Sequence, residues 1–497
     1  MQRQIFARKS DVGATIMVAN VVELTESKRE IQHLNQVLSA QKQAFRQNPM
    51  PTANERIENL NRLKKMILKY EDEICEAINT DFSSRSKDET LIAEIMSVVS
   101  GINYCIKNLR KWMRPEKRHV NLLFQPASAK VVYQPKGVVG IVVPWNYPVF
   151  LSLGPLCFAM AAGNRAMIKM SEFTPKTSEF LKKIISETFD DNMINVVTGE
   201  ADVAQEFTKK PFDHLLFTGS TTVGSHVMRA AADNLTPVTL ELGGKSPAII
   251  APDAPMHDAV DRVCFGKSFN AGQTCVAPDY VLCPSDQVDA FVDSYRDTFA
   301  RLYPTIKDNT DYTAIVDDRQ YQRLRSWIED ARAKGAEVIE INPANENLQS
   351  GTRKLPLHIV LNPTDDMTIM QEEIFGPILP VITYNSMNEA INHINDRPRP
   401  LALYYFGYNV QEQEHVLAKT HAGGVCLNDA IMHVALDDLP FGGIGPSGMG
   451  AYHGHEGFLT FSHAKSVLSK PRFNSGKLAY APYGKTIHKM IYKFFIR

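Results

Sequence analysis

The sequence predicts an α/β protein built on parallel strands, and two observations carry that expectation. From Val131 onward, short apolar runs rich in β-branched residues recur, separated by helix-compatible stretches. Within the runs apolar residues do not alternate with polar ones. That pattern marks strands covered on both faces, as in a parallel sheet flanked by helices. At 497 residues the chain is long enough for about three domains or sub-domains of roughly 150 residues each.

The first third reads as helical. Ile31, Leu34, Leu38 and Phe45 recur at helical spacing, Asn48-Pro49-Met50-Pro51 interrupts, and Ile57, Leu60, Leu63 and Ile67 form the next stripe. Residues 1–30 read as a flexible tail rather than a cleaved leader. Arg3, Arg8 and Lys9 precede a mildly apolar run that Thr15 and Asn20 break, and Met17 is a second candidate start.

Strands are expected at Val138–Val143, Ala166–Ile168, Ile194–Val197 and His214–Phe217, with helices at Pro175–Phe189 and Thr222–Ala232 between them. After about Leu242 a second α/β unit is expected, with strands at Ala248–Ile250, His358–Leu361 and Leu379–Ile382.

Composition excludes several classes. The formal net charge of −1 argues against a broad nucleic-acid-binding surface. No run of 18 apolar residues occurs, which argues against a spanning helix. The seven cysteines are odd in number and show no C-x-x-C spacing, so neither a disulfide framework nor a metal site is expected, and a cytoplasmic, reducing setting is.

Seven motifs carry candidate chemistry. Cys275 follows a glycine turn in Phe269-Asn270-Ala271-Gly272-Gln273-Thr274-Cys275. Glu241 ends an apolar run before Gly243-Gly244-Lys245-Ser246, a fitting place for a general base. Gly219, Ser220 and Gly224 form a turn between a strand and a helix, where free amides attract phosphate. Asn146, between Pro144 and Pro148, is placed to donate to a developing oxyanion. Lys169 and Glu172 follow a strand, where a nucleotide ribose lies in a doubly wound sheet. Glu372-Glu373-Ile374-Phe375-Gly376-Pro377 and the glycine-rich Pro440–Gly448 complete the set. Each also fits a plainer role, such as a capped turn, a loop carboxylate or a buried small cysteine, and none decides alone.

Together and in this order, the motifs resemble the aldehyde dehydrogenase superfamily. E-L-G-G-K-S and G-Q-T-C stand 34 residues apart, from Glu241 to Cys275. P-W-N-Y-P, F-T-G-S-T-x-x-G, E-E-I-F-G-P and P-F-G-G-x-G-x-S-G accompany them over roughly Ala53 to Leu468. Val276-Ala277-Pro278-Asp279-Tyr280 and Ser447–Gly454 resemble the class 3 and coniferyl-aldehyde dehydrogenase branch.

The resemblance implies a Rossmann-type dinucleotide-binding domain, a second α/β catalytic domain and a small β oligomerisation element. The expected divisions are 31–242 for the cofactor domain (with part of the oligomerisation element near 120–138), 243–444 for the catalytic domain, and 445–497 for the return to the cofactor domain, an oligomerisation strand and an amphipathic tail. Val131–Tyr133 and Ser466–Leu468 are the implied strands of the small element. The implied roles are Cys275 as nucleophile, Glu241 as general base, and Asn146 with the Cys275 amide as oxyanion hole. Lys169 and Glu172 would hold a ribose, Gly219, Ser220 and Gly224 the pyrophosphate side, and Glu373 and Phe375 the nicotinamide end. Met170 departs from the proline that many relatives carry after the lysine, which leaves cofactor preference open between NAD and NADP. The implied reaction is oxidation of an aromatic or medium-chain aldehyde to an acid. Acyl transfer to coenzyme A, or a non-catalytic cofactor-binding protein at a membrane, are the alternatives. The expected partners are a small aldehyde and a second copy in a homodimer, with dimer and tetramer left open by the sequence.

From Lys485 onward, Ile487, Met490, Ile491, Phe494 and Phe495 form a helical stripe among basic residues. Docking on the chain itself or on a subunit is one reading, and contact with a membrane surface is the other.

Overall fold

The computed structural model describes residues 8–348 and 351–496, with side chains from residue 27 onward. Among the described residues, three sheets organise the chain.

The first has six strands in the order Gly448–Met449, Val238–Leu242, His214–Gly219, Val138–Val142, Arg165–Lys169 and Ile194–Val197. All neighbours are parallel except Gly448–Met449, which runs antiparallel to Val238–Leu242. The chain starts in the middle of this sheet, moves out through Arg165–Lys169 and Ile194–Val197, then returns to the other side at His214–Gly219. The reversal opens a crevice beyond the carboxyl ends of Val138–Val142 and His214–Gly219, the place where doubly wound sheets bind ligands.

The second sheet has seven strands, ordered Glu337–Ile341, Leu357–Leu361, Ile378–Tyr384, Tyr280–Pro284, Pro247–Ile250, Ala402–Phe406 and Gly424–Leu427. It is parallel apart from its first pair. The chain passes from one sheet to the other within the four residues Gly243–Ser246. The third sheet is antiparallel, with Ser128–Pro135 between Glu116–Arg118 and Ser462–Ser469.

Within residues 1–30, expected as a flexible tail, the chain is helical from Arg8, as part of the helix Arg8–Gln47. Residues 1–7 lie outside the described residues. The segment holds no proline, and its second half is anchored: Leu34, Val37 and Leu38 are buried against Val138 and Met167 of the first sheet. A docked half supplies the nucleus, after which each further turn forms at little cost.

One helical run, Lys87–Trp112, is long and apolar enough by composition to cross a membrane. Its Ile95, Val98, Ile102, Cys105 and Leu109 are instead buried in the main core.

Candidate active site

The loop that carries Cys275 is held by its own sequence. The helix Met256–Ser268 ends, and Asn270 and Ala271 take left-handed backbone at φ 52° and 50° before Gly272 at 73°. Non-glycine residues held there store strain, which packing and hydrogen bonds must offset. Gln273, fully buried, supplies three such bonds. Its side-chain amide donates to the carbonyls of Asn270 (3.0 Å) and Ala314 (3.1 Å), and its oxygen accepts from the Val316 amide (3.0 Å).

Asn146 follows the strand Val138–Val142, which stops because Pro144 has no amide for the ladder. Its Nδ2 donates to the Gln273 carbonyl at 3.2 Å. An amide nitrogen carries two hydrogens, so one donor is left for a ligand. Arg85 Nη1 and Asn270 Nδ2 both donate to the Asn146 carbonyl, at 2.9 and 3.2 Å. Arg85 also meets Glu94 at 3.1 Å, and Glu94 accepts the Val149 and Phe150 amides at the start of the helix Phe150–Ala162.

Glu241 sits in the strand Val238–Leu242, paired with Gly448. It is buried, and among the described residues neither carboxylate oxygen has a hydrogen-bond partner. Burial holds its pKa well above the ordinary carboxylate range. The glycine-rich loop lies close by: a Cβ at Gly442 would sit 3.1 Å from Glu241 Oε1 and 2.1 Å from the Gly450 carbonyl.

One cavity of about 380 Å³ brings these groups together. Its lining includes Asn146, Glu241, Cys275, Glu373, Phe441 and Tyr452. Cys275 is partly exposed, whereas the other six cysteines are buried. Burial of its sulfur, with Glu373 and Glu241 nearby, pushes the thiol up to about 12. Glu373 is raised to about 8, first by burial and then by Asp279.

A buried ion pair ties three motifs to one another. Lys245 bonds Asp279 and donates to the Glu372 carbonyl at 3.0 Å, while Asp279 Oδ1 accepts the Ile374 amide at 2.8 Å. Phe375 lies beyond, at φ 50°, with its ring edge-on to Trp145 at 5.3 Å.

The remaining candidates spread along the crevice. Gly219 and Ser220 line the cavity, and Ser220 caps the helix Thr221–Ala232. Lys169 is buried at the end of its strand, with Nζ donating to the Met170 carbonyl at 2.6 Å. Burial lowers its pKa, and Glu172 acts in the opposite direction. Gly224 packs helix against sheet, since a Cβ there would lie 2.6 Å from Leu242 Cδ2. Among the described residues, Lys169, Glu172 and Gly224 do not line the cavity itself.

A dinucleotide fits this crevice. A twelve-residue helix offers its first amides beside Ser220, and glycines at 219 and 243 leave space that a side chain would fill: a Cβ at Gly243 would fall 1.9 Å from Glu373 Oε2.

Residues 18–467 match the aldehyde dehydrogenase family. The chain belongs to the aldehyde dehydrogenase family. This aldehyde dehydrogenase is 57% identical over 481 residues to a Pseudomonas aeruginosa protein named "Probable coniferyl aldehyde dehydrogenase", covering 97% of this chain and all of that one. It is 47% identical over 462 residues to the "Coniferyl aldehyde dehydrogenase" of a Pseudomonas species, covering 93% and 96%. A substrate-bound structure of Staphylococcus aureus AldH superposes with a TM-score of 0.87 at 39% identity, covering 93% of this chain and 99% of that one. The reaction is the NAD(P)-dependent oxidation of an aldehyde to its carboxylic acid.

Tyr452, Arg85 and Glu94 were not singled out in the sequence. Tyr452 is fully buried on the cavity wall, and its hydroxyl has no hydrogen-bond partner among the described residues. The one signal for it was its place just beyond the glycine-rich motif.

Proposed function

We propose that Cys275, Glu241 and Asn146 carry the oxidation of aromatic aldehydes with NAD, and that the meeting of all three on one cavity wall is the observation that carries this reading. A carbonyl carbon does not readily release hydride until a nucleophile has made it tetrahedral. The Cys275 sulfur, as thiolate, adds to that carbon. The free hydrogen of Asn146 Nδ2 and the Cys275 amide hold the oxygen that becomes negative. When bound, oxidised NAD supplies the hydride acceptor at this carbon. Loss of the hydride leaves a thioester on Cys275. Glu241 then takes a proton from water, whose oxygen attacks the thioester and releases the acid. Its raised pKa makes it the stronger base once ionised.

Lys169 and Glu172 would hold the ribose, Gly219 and Ser220 the pyrophosphate, and Glu373 and Phe375 the nicotinamide end. Glu172 favours NAD, since a carboxylate there repels a 2′-phosphate. The names of the two Pseudomonas relatives support an aromatic substrate, and Leu151, Phe441 and Tyr452 supply an apolar wall. A homodimer is the assembly read from the exposed edge of Ser462–Ser469, which is free to pair.

The test follows absorbance at the NADH band with benzaldehyde, coniferyl aldehyde and an alkyl series, using NAD⁺ and NADP⁺ without coenzyme A. Preferred turnover of the aromatic aldehydes with NAD⁺, yielding free acid, is the expected result. No turnover by folded protein, or a need for coenzyme A, would overturn it.

A further inference from the structure

The basic stretch beyond the catalytic elements takes no part in this chemistry, and its surface is unlike the rest of the molecule. From Gly457 to Arg497 there are eight Lys or Arg and no Asp or Glu, in a chain whose net charge is −1. This one continuous segment therefore carries a formal excess of eight positive charges that the rest of the chain offsets. Large apolar side chains are exposed within it: Phe473 at 71%, Tyr483 at 75%, Met490 at 62% and Phe494 at 73%.

The helix Thr486–Phe495 sorts the two kinds of residue. Met490, Phe494 and the half-buried Ile487 and Ile491 share one side, whereas Lys485, Lys489 and Lys493 lie on the other. His488 turns inward between the Tyr483 and Tyr492 rings and anchors the helix. Met490 and Phe494 are left facing solvent, while Ile487 and Ile491 are half covered.

We propose that this helix docks on an anionic lipid bilayer, with Met490 and Phe494 entering the interface and the lysines meeting lipid phosphates. Charge complementarity selects this occupant. The arc belongs to a segment that holds cations and no acid from Gly457 onward, so an apolar layer bordered by negative headgroups matches both parts at once. Long lysine stems let the ammonium groups reach the headgroups while the arc is buried.

The experiment uses the full-length protein with sedimenting vesicles of phosphatidylcholine alone or with phosphatidylglycerol. Binding to the anionic vesicles only, weakened by salt, is expected. Each of Lys489→Glu and Lys493→Glu should lower partitioning by roughly fivefold or more. The pair Met490→Ser and Phe494→Ser keeps every charge and should also release the protein, with aldehyde oxidation unchanged in solution. Equal binding to neutral vesicles, or no binding to anionic ones, would overturn the proposal. Undiminished binding by the serine pair would do so too, because it would show attraction by charge alone. Loss of self-association by the serine pair, without any vesicle binding, would assign the face to a second copy instead.

Discussion

The side-chain amide of Asn146 donates to the backbone carbonyl of Gln273 at 3.2 Å, two residues before Cys275. This bond joins the turn after the first strand of one sheet to the loop that leads into the other. It holds a donor in the cavity that Cys275 also lines, and preorganised donors are well suited to stabilising developing charge.

Replacing Asn146 by Ala should lower kcat on the order of 10²- to 10³-fold, with a smaller effect on cofactor binding. Steady-state kinetics and NADH titration separate the two. A change in KM alone would contradict the oxyanion role.

Cys275→Ala should abolish oxidation and leave cofactor affinity near normal. Glu241→Gln should still release a rapid burst of NADH and then turn over slowly, because hydride transfer precedes hydrolysis. Stopped-flow absorbance checks this, and absence of the burst in the glutamine variant would remove Glu241 from the hydrolytic step.

The pH dependence of Cys275 follows from its surroundings. Its thiol is pushed up to about 12, so at neutral pH the free enzyme holds it protonated. Its alkylation by iodoacetamide should therefore rise about tenfold per pH unit from 7 to 10, without a plateau. A cation beside a thiol favours the thiolate, so NAD⁺ should move the whole profile to lower pH. A plateau near pH 7 in the free enzyme would contradict the burial argument.

Arg85 is a structural support of the site. It is buried between Glu94 and the Asn146 carbonyl. Arg85→Met leaves the Glu94 charge without its partner and should cost about 3 kcal/mol of stability. The double variant with Glu94→Gln should recover part of that loss. Urea unfolding of both single variants and the double completes the cycle, and losses that simply add would show that the pair is not coupled.

Glu172→Gln should raise the ratio of NADP⁺ to NAD⁺ efficiency, since it removes the charge that opposes a 2′-phosphate. An unchanged ratio would place selection elsewhere in the crevice.

Much of this was legible from the sequence alone. Val138–Val142, Ile194–Val197 and His214–Gly219 are mostly apolar runs, as strands covered on both faces tend to be, with Asn195 and His214 as buried polar exceptions. Cys275 and Glu241 stand in motifs whose joint occurrence points to the family. Ala402–Phe406 and Gly424–Leu427 were not expected as strands, because short apolar runs do not distinguish strand from buried helix. The helix Arg8–Gln47 was hidden for a related reason: its stability comes from docking on a sheet more than 100 residues away, at Val138 and Met167.

What the residues determined by themselves is local: where most of the first sheet's strands form, where turns break them, and which motifs mark the family. What only the tertiary structure decided is which of them meet. Arg85 reaches the Asn146 carbonyl across 61 residues, Tyr452 closes a cavity begun by Trp145, and Gly224 packs on Leu242 rather than lining that cavity. Contacts between distant parts of the chain arise when packing elements bury their faces together, and a pattern confined to neighbouring residues carries no trace of them.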